Sequence, residues 1–560
     1  MTNLEGKQVV ESSPIGSELP KGQICALYGG FLAVCGVLIL LTVSDYGVSW
    51  DEFFRWAGGD RKLEYYQALI SGNSERSAEI RAEGDSYPGF FDLPAAFIRS
   101  VFAEHSILAS HLWQAFFGWL GIAGAMALGY RLGGAWVGLA AGFLLVLFPR
   151  YWGHQFINPK DIPFAATYIW GLWALVRSMQ VGAFRERWPA LVFGLLAGAC
   201  MASRIGGLLL FCYAGLFAVL QVAVEWRTAS GSFNGMTRLK EIVVWFFVAG
   251  VPAFLILLVF WPAAHRNPFS QTESTIADVS DFGWEGQVLF HGERILAADL
   301  PRTYLPDMIF RSSPDLWLVL ALMTVAILIW DRRWLTNYTV FWSKYRTTIL
   351  VLFAAAFPIA FIMVKGAVVY DGMRHVLFII PLASVLLGLA LVSFVRRADR
   401  QFGKIGKWIV SGLVGLLSFF ALWDSVQLHP YQYTYYNRLT GGVSAADGRF
   451  ENDYWGTAYR EGAELISAGL PPREGGPWRI TMEPPLDVLQ ERIGQLVVPP
   501  PTLVAPFLED HVVLVRGNQR PEFYIATTRN AYHEMRPEAA VAEVTRDGVV
   551  LLQIKPIKNQ

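Results

Sequence analysis

The sequence predicts an all-α polytopic membrane protein of about eleven transmembrane helices, followed by a small α/β domain. Three observations predict this fold class. Of the 560 residues, 54% are hydrophobic and only 16% are charged, whereas soluble domains carry about 25% charge. The apolar residues are gathered in runs long enough to cross a hydrocarbon core of about 30 Å as helices. From residue 425 onwards these runs give way to short β-rich stretches.

The basic residues between the apolar runs predict the orientation of the chain. All short connections rich in Lys and Arg fall on one side if the N-terminus is cytoplasmic. Residues 1–23 are then a cytoplasmic tail, 24–424 the transmembrane region and 425–560 an extracytoplasmic domain. The predicted spans are 24–43, 107–129, 133–149, 162–178, 188–203, 205–224, 241–261, 315–330, 348–364, 373–395 and 407–424.

Three long connections are predicted to lie on the outer side. They comprise residues 44–106, residues 262–314 and the C-terminal region from residue 425. In the C-terminal region a helix is predicted over 456–469. The β-rich stretches there are 478–483, 511–516, 522–527 and 540–555, the last broken like a hairpin at Asp547-Gly548.

Composition and absent motifs exclude several functions. A formal net charge of zero gives no argument for binding nucleic acid. The four cysteines all lie in apolar segments, which excludes a disulfide framework and a Cys-based zinc site. The chain has no Walker A pattern and no His-Glu-x-x-His, so neither an ATPase of its own nor a metalloprotease is predicted. It also has no Asp-x-Asp motif of the kind used with nucleotide sugars.

The first candidate site is a pair of carboxylates, Asp51 and Glu52, just beyond the outer end of the first span. Acidic side chains at a membrane face are costly to desolvate, so a tight pair there favours chemistry at the bilayer surface. Partial desolvation raises the basicity of a carboxylate, which suits a general base that takes a proton from a hydroxyl. The alternative is that Asp51 caps a helix that starts at Glu52.

The second candidate site is the short outer connection between the third and fourth spans. Arg150, His154, Lys160 and Asp161 crowd into about a dozen residues there, a mixture of acid, cation and imidazole that a simple linker does not need. Asp161 precedes Ile162-Pro163 at the start of the fourth span, where a helix N-terminus tolerates an anion. Helix capping therefore accounts for Asp161 but not for its neighbours.

The third candidate site leads into the tenth span. Arg374 and His375 lie at its outer end, at the level of a lipid phosphate, and Lys365 precedes them. Arginine binds phosphate oxygens bidentately, and lysine adds a point charge. The alternative for Lys365 is ordinary snorkelling to lipid phosphates. His291 and Arg204 are further candidates that could face the same cavity.

With these residues in hand, the chain resembles the GT-C class of integral-membrane glycosyltransferases. Within it, the chain is similar to the glycosyltransferase family 39 group, which includes protein O-mannosyltransferases and lipid A aminoarabinose transferases. The resemblance covers residues 24–424. His375 stands where many bacterial members have Tyr, which leaves its role open. The matching motifs are Trp50-Asp51-Glu52, Asn158-Pro159-Lys160-Asp161-Ile162-Pro163, and Arg374-His375 with Ile379-Ile380-Pro381.

The resemblance implies roles for the carboxylates. Asp51 would deprotonate the acceptor, and Glu52 would assist or orient it. Asp161 would be a second carboxylate in the same cavity, positioning the acceptor or a metal, with Lys160 and His154 beside it. A divalent cation bridging carboxylate and phosphate is compatible with this layout, although the sequence shows no dedicated cage.

The resemblance also implies a lipid-linked donor. Arg374, with Lys365, His375 and Lys160, would bind a polyprenyl phosphate. The expected enzyme is an inverting glycosyltransferase that moves a sugar from this donor to an acceptor hydroxyl on a protein, a lipid or a glycan. Its expected location is the outer face of a bacterial inner membrane. The alternative is a lipid or polysaccharide transporter or flippase, which should place ionisable residues near span centres rather than at outer ends.

Overall fold

The computed structural model describes residues 19–83, 87–229, 233–280, 283–330, 338–484 and 499–558. Most of the predicted N-terminal tail lies outside the described residues. The helices of the first half of the chain are α1 (Lys21–Thr42), α2 (Trp50–Ile70), α3 (Ser74–Glu83), α4 (Asp92–Val101), α5 (Ser106–Gly133), α6 (Ala135–Val146), α7 (Pro149–Ile157), α8 (Asp161–Gln180), α9 (Arg187–Ser203), α10 (Leu209–Thr228) and α11 (Gly235–Val259).

The second half of the chain begins with α12 (Pro268–Ser280) and a two-stranded antiparallel hairpin, β1 (Gln287–Phe290) and β2 (Glu293–Leu296). Further helices follow the hairpin, most of them apolar. They are α13 (Tyr304–Ser312), α14 (Asp315–Trp330), α15 (Tyr338–Lys365) and α16 (Ile380–Gln427), the last preceded by a 3-10 helix over Arg374–Ile379.

The described residues contain six helices that are long and apolar enough to cross a membrane, or eight if two bent pairs each count as one span. The bent pairs are α6 with α7, at 70°, and α13 with α14, at 113°. Each of the eleven predicted spans falls on helical residues, but the count of eleven spans is not confirmed. The apolar helix α9, for example, has only 17 residues.

Two of the predicted spans lie in two helical segments that are joined directly across a kink. The structure joins the predicted spans 373–395 and 407–424 within α16, which has 48 residues and changes direction at Gly403. Gly403 has a φ of 62°, a left-handed conformation that glycine adopts at little steric cost. The predicted cytoplasmic loop is therefore a kink with no separate loop.

The first outer connection, 44–106, is mostly helical rather than extended. Helices α2, α3 and α4 occupy it, and α2 packs against both of the others. The amide of Trp50, at the start of α2, donates to the carbonyl of Trp455, at 3.1 Å. This contact brings the C-terminal region to the residues that follow the first span.

The C-terminal region contains α17 (Gly442–Ala446), α18 (Tyr459–Gly469) and the strands β3 (Trp478–Thr481), β4 (Val512–Leu514), β5 (Phe523–Thr527), β6 (Ala542–Arg546) and β7 (Val549–Pro556). The strand order is β4-β3-β5-β7-β6, with β3 parallel to both neighbours and the other pairs antiparallel. Helix α18 packs on β5, β6 and β7. The predicted α/β content and the hairpin at Asp547-Gly548 are confirmed.

Residues 428–458, here called the junction segment, join α16 to α18 and pack on the membrane region. The Nε of Arg150 in α7 donates to the carbonyl of Tyr435, at 2.8 Å. Gly153 makes this approach possible, because a Cβ there would lie 2.6 Å from the backbone nitrogen of Tyr433. The structure therefore divides the predicted 425–560 domain into a segment against α7 and a sheet with its helix.

Candidate active site

A cavity of about 350 Å³ lies where the start of α8, the end of α15 and the 3-10 helix that precedes α16 meet. One side of it is polar and cationic, and the other is an apolar wall. The apolar wall includes Leu209, Phe357, Phe361, Ile362 and Phe378. The polar side is formed by Tyr87, Lys160, Arg204, Arg374 and His375. The cavity thus combines an anion-binding face with a surface suited to a hydrocarbon chain.

Asp51 stands in the first turn of α2, beside the cationic side of this cavity. Its Oδ2 accepts a hydrogen bond from Nη1 of Arg374 at 3.0 Å and lies 3.9 Å from Nζ of Lys160. The side chain keeps 17% of its surface exposed. Helix α2 starts at Trp50, with Ser49 as its N-cap, so Asp51 does not cap a helix starting at Glu52.

The pKa of Asp51 departs from the sequence-based expectation. Burial is the largest single influence and raises it, but the positive charges of Lys160, Arg374, Arg55 and Arg204 together outweigh burial. The pKa of Asp51 is therefore lowered rather than raised. The expectation of increased basicity was wrong because four basic side chains, from four different parts of the chain, surround this carboxylate.

Asp161 is held at the start of α8 by its own loop. Asn158 accepts from the amide of Asp161 at 2.8 Å, and its Nδ2 donates to Oδ2 of the carboxylate at 3.0 Å. The other carboxylate oxygen is bonded by Nη1 of Arg204, and Nη1 of Arg374 lies 3.8 Å from Oδ2. Asp161 is buried, so its carboxylate holds two of the cavity's arginines in place.

Arg374 lies within 4.0 Å of three carboxylates of the site. Besides Asp51, it contacts Asp371, whose Oδ2 lies 3.1 Å from its Nε. Its guanidinium carbon lies 4.7 Å from the ring centre of Tyr370 and 5.4 Å from that of Trp455. The sequence analysis did not single out Asp371 or Trp455. Asp371 is three residues before Arg374 and could have been noticed, whereas Trp455 reaches the site only through the tertiary fold.

Tyr87 is a cavity residue that sequence reasoning also missed. Its ring centre lies 4.7 Å from the guanidinium carbon of Arg55 and 5.0 Å from Nζ of Lys160. Burial, the largest influence, raises the pKa of Tyr87, but the charges of Lys160, Arg204 and Arg55 lower it overall. Its position in the motif Tyr87-Pro88-Gly89 gave no chemical signal.

Glu52 points away from the cavity and holds the start of α2. It is fully buried, and its Oε2 accepts the amide of Ser49 at 2.7 Å. Its Oε1 accepts Nε2 of Gln114 at 2.6 Å and lies 3.1 Å from Nε2 of His111. These contacts fix the turn that presents Asp51, so Glu52 is placed to orient its neighbour.

This arrangement predicts that Glu52→Gln destabilises the protein. Glutamine keeps only one acceptor oxygen, so its NH2 group would face one of the two donors, the amide of Ser49 or Nε2 of Gln114. We therefore expect the free energy of unfolding to fall by about 1–3 kcal/mol. Thermal unfolding in detergent measures the change. Glu64→Gln is the matched control, because Glu64 lies on the same helix in an exposed pair with Arg76. An unfolding midpoint as little changed as that of the control would contradict this role of Glu52.

Three further predicted site residues lie away from the cavity. His154 is buried between Asn158, at 3.1 Å, and the hydroxyl of Tyr454, at 3.0 Å. His291 lies in the β1–β2 turn and pairs with Asp307 at 2.9 Å. Lys365 is exposed at the end of α15. His154 and His291 were predicted to face the cavity, and this was wrong. His154 is bonded instead to Tyr454 of the junction segment, and His291 is bonded to Asp307.

Four predicted residues line the cavity. They are Lys160, Arg204, Arg374 and His375, which come from three different parts of the chain. The His375 ring lies edge-on to Tyr370, with 4.7 Å between ring centres. Its Nε2 is buried and has no hydrogen-bond partner among the described residues. It is therefore placed to donate to, or accept from, a bound ligand.

The carboxylates of the site do not fit a divalent cation. Oxygens of Asp51 and Asp161 are already bonded by the guanidinium groups of Arg374 and Arg204. Within the described ranges, no three His, Cys, Asp or Glu side chains converge as a metal site would require. The charge that could stabilise a phosphate here is carried by side-chain cations.

No protein-family model matches the chain, and no curated protein matches it. Three solved structures are similar to it. ArnT from Cupriavidus metallidurans in the apo state is 12% identical, with a TM-score of 0.46 over 95% of this chain and 98% of that one. The oligosaccharyltransferase AglB from Archaeoglobus fulgidus, in complex with an inhibitory peptide and a dolichol-phosphate, is 10% identical, with a TM-score of 0.48 over 91% and 70%.

The third similar structure is the S. cerevisiae protein O-mannosyltransferase Pmt1-Pmt2 complex bound to the sugar donor. It is 13% identical, with a TM-score of 0.34 over 45% of this chain and 36% of that one. All three are GT-C glycosyltransferases, the class that the sequence resembles. Because these TM-scores lie below 0.5, the function proposed for this chain rests on its own residues.

Proposed function

We propose that this protein is an inverting glycosyltransferase that uses a polyprenyl-phosphate-linked sugar and acts on an acceptor hydroxyl. One observation carries the proposal. A partly exposed carboxylate, Asp51, pairs with Arg374 and Lys160, two of the three cations on one side of a cavity whose other side is an apolar wall. A base, a phosphate site and a lipid-compatible surface are the three parts that this reaction needs.

The cations support a lipid phosphate as the donor group. Lys160, Arg204 and Arg374 all line the cavity. A guanidinium can bind two phosphate oxygens at once, and a lysine adds a mobile charge. The aromatic and aliphatic wall beside them would take the first isoprene units of the donor. A soluble nucleotide sugar has no hydrocarbon chain that could pack against that wall.

In the proposed reaction, Asp51 takes the proton from the acceptor hydroxyl. The acceptor oxygen then forms a bond to the anomeric carbon as the bond from that carbon to the phosphate oxygen breaks. The electron pair stays with the phosphate, whose added charge is stabilised by Arg374 and its cationic neighbours. A single displacement of this kind inverts the anomeric configuration. The protein contributes positioning, a base and electrostatic stabilisation.

The ion pair between Asp51 and Arg374 suits this sequence of events. The two side chains neutralise each other, with Nη1 of Arg374 3.0 Å from Oδ2 of Asp51. A bound phosphate would give Arg374 a second anion and weaken its hold on Asp51. Donor binding would therefore release the base for the acceptor. In this proposal Asp161 does not take part in proton transfer, since it holds Arg204 and contacts Arg374.

The lowered pKa of Asp51 predicts the pH dependence of the reaction. The base acts in its ionised form, so activity falls only when the pH drops through the pKa of Asp51. That pKa lies below the ordinary carboxyl value of about 3.9. We expect kcat/KM, which reports the free enzyme, to stay level as the pH falls from about 7 to about 5. A pH profile of initial rates at donor and acceptor concentrations well below their KM values measures it.

An acidic limb with its midpoint near pH 6 or above would contradict this assignment. It would indicate a base with a raised pKa, which Asp51 is not. Replacing Asp51 in the same assay would then show whether the limb belongs to another group.

The test of the proposed function is sugar transfer by the purified protein. Synthetic polyprenyl-phosphate sugars with a radiolabelled sugar would be offered together with bacterial membrane extract as the source of acceptor. Labelled product from at least one donor supports the proposal. Movement of the lipid between leaflets without transfer would favour the transporter. We propose that the reaction occurs at the outer face of a bacterial inner membrane, with the N-terminus cytoplasmic and the C-terminal domain extracytoplasmic.

A further inference from the structure

The C-terminal sheet domain reaches into the candidate active site through one arginine. Nη2 of Arg529 lies 3.2 Å from Oδ1 of Asp371, and the other oxygen of Asp371 lies 3.1 Å from Nε of Arg374. All three side chains are well shielded, with 14% of Arg529 and 4% of each of the others exposed. Asp371 is therefore shared by a cavity arginine and an arginine from a domain more than 150 residues further along the chain.

Both ends of this contact have unusual backbone conformations. Asp371 has a φ of 55°, in the left-handed region. Asn530 and Ala531, which follow Arg529 directly, have φ values of 52° and 55°. Alanine pays a steric cost in this region because of its Cβ, and such conformations persist where the surrounding structure imposes them. The surrounding structure, and not the backbone preference of these residues alone, therefore holds the turn that presents Arg529.

The charges joined in this network come close to balance. Salt bridges of 4.0 Å or less connect seven side chains of the described structure around the cavity. They are the cations Lys160, Arg204, Arg374 and Arg529, and the carboxylates Asp51, Asp161 and Asp371. With Arg529 the network carries one net positive charge; without Arg529 it would carry none. The surplus thus depends on the C-terminal domain.

We propose that Arg529 is a positioning residue for the donor phosphate and acts through Asp371. Arg529 neutralises Asp371, which leaves the charge of Arg374 available to the donor. It also holds Asp371 on the far side of Arg374, so that the guanidinium faces Asp51 and the cavity. The inference rests on the proposed function, because it assigns the C-terminal domain a part in donor recognition.

The surplus charge matches the donor class. A sugar joined to a lipid through one phosphate is a phosphodiester, which carries one negative charge at neutral pH. A network with one net positive charge binds that anion without leaving a charge uncompensated in a shielded site. Arg529 therefore contributes to donor affinity without touching the donor.

The decisive experiment compares Arg529→Gln with the double variant Arg529→Gln/Asp371→Asn. The single variant leaves the charge of Asp371 to Arg374 alone, and we expect the KM for donor to rise roughly 10- to 100-fold with little change in kcat. The double variant regains one net positive charge. Its donor KM should return to within a few-fold of the wild-type value.

Arg473→Gln is the matched control, because Arg473 lies in the same domain in a pair with Glu522, at 2.6 Å, remote from the cavity. Its donor KM should equal that of the wild type. If Arg529→Gln alters the donor KM no more than this control does, the proposal is overturned. It is also overturned if Asp371→Asn recovers none of the lost affinity, since a purely structural Arg529 would not be rescued by removing a carboxylate.

A binding measurement separates this inference from the proposed function. A synthetic undecaprenyl-phosphate sugar, a phosphodiester like the proposed donor, would be titrated into the detergent-purified full chain, and its dissociation constant measured for the same four proteins. If the wild type transfers no sugar from any donor, the proposed function fails. The inference still stands or falls on whether Arg529→Gln weakens binding and the double variant restores it.

Discussion

Asp51→Asn is expected to lower kcat for sugar transfer by roughly 10²- to 10⁴-fold, the usual contribution of a general base. The amide keeps the shape of the side chain and can still accept a hydrogen bond from Arg374, but it cannot take a proton from the acceptor. The start of α2 should survive, because Glu52 and Ser49 form the cap. Single-turnover transfer from a radiolabelled donor measures the loss.

Donor binding should persist in this variant or tighten. Asp51 competes with the donor phosphate for Arg374, at 3.0 Å. Removing its charge frees that arginine, so the dissociation constant for undecaprenyl phosphate should stay equal or fall. A large loss of turnover with binding retained separates a catalytic base from a residue that only builds the pocket.

Asp45→Asn provides the matched control. Asp45 precedes Asp51 by six residues at the end of the first span, is about half exposed, and pairs with His429 at 2.8 Å. Its replacement should leave transfer at the wild-type rate. If Asp51→Asn transferred sugar as fast as this control, the base would lie elsewhere, and Asp161 would be the next carboxylate to replace.

Much of the fold could be predicted because its signals are local. A run of apolar residues specifies a membrane helix whatever surrounds it, and every predicted span falls on helical residues. The hairpin at Asp547-Gly548 was equally local, since both residues have positive φ values that Asp and Gly tolerate. The number of complete spans could not be predicted in the same way, because bends such as that of 70° between α6 and α7 depend on packing.

The site residues could be predicted only where several charged residues lie close together in one short segment. Asp51, Asp161 and Arg374 stand in short motifs of charged residues at span ends, and the structure places both carboxylates within 4.0 Å of Arg374. Arg529 and Trp455 gave no such signal, because an arginine or a tryptophan outside the predicted spans is ordinary by itself. Their roles arise only when the junction segment folds back on α7.

The two adjacent carboxylates show where sequence reasoning reaches its limit. Asp51 and Glu52 look equivalent in the chain, but successive residues of a helix point about 100° apart. One carboxylate therefore meets Arg374 at the cavity, and the other is buried against Gln114 and His111. Spacing could predict that the two side chains diverge. It could not predict which of them would face the cavity.

Arg374→Gln is the second change with a large expected effect, a loss of roughly 10³-fold in kcat/KM for donor. The variant removes the group that would bind the phosphate in both ground and transition states, and loss of one such donor group costs about 10²–10³-fold in other enzymes. It also leaves Asp51 and Asp371 without their shared partner. Initial rates at varied donor concentration, on protein that elutes as a single species in detergent, measure the effect.

Arg374→Lys distinguishes charge from geometry. Lysine keeps the positive charge but cannot bind Asp51 and Asp371 through separate nitrogens as the guanidinium does. We expect it to recover part of the donor affinity and less of kcat. Equal activity of the lysine and wild-type proteins would show that any cation suffices, which would remove the geometric part of the proposal.

Arg438→Gln is the control for both variants, since Arg438 also pairs with a carboxylate, Asp424 at 2.6 Å, and lies over an aromatic ring, that of Phe420. The two arginines thus have the same kinds of partner, but only Arg374 lines the cavity. Arg438 is exposed, whereas 4% of the Arg374 side chain is exposed beside the cavity. If only Arg374→Gln reduces transfer, the effect belongs to the cavity. If both variants lose transfer equally, the loss reflects general damage to the fold. The proposal that Arg374 binds the donor phosphate would then be contradicted.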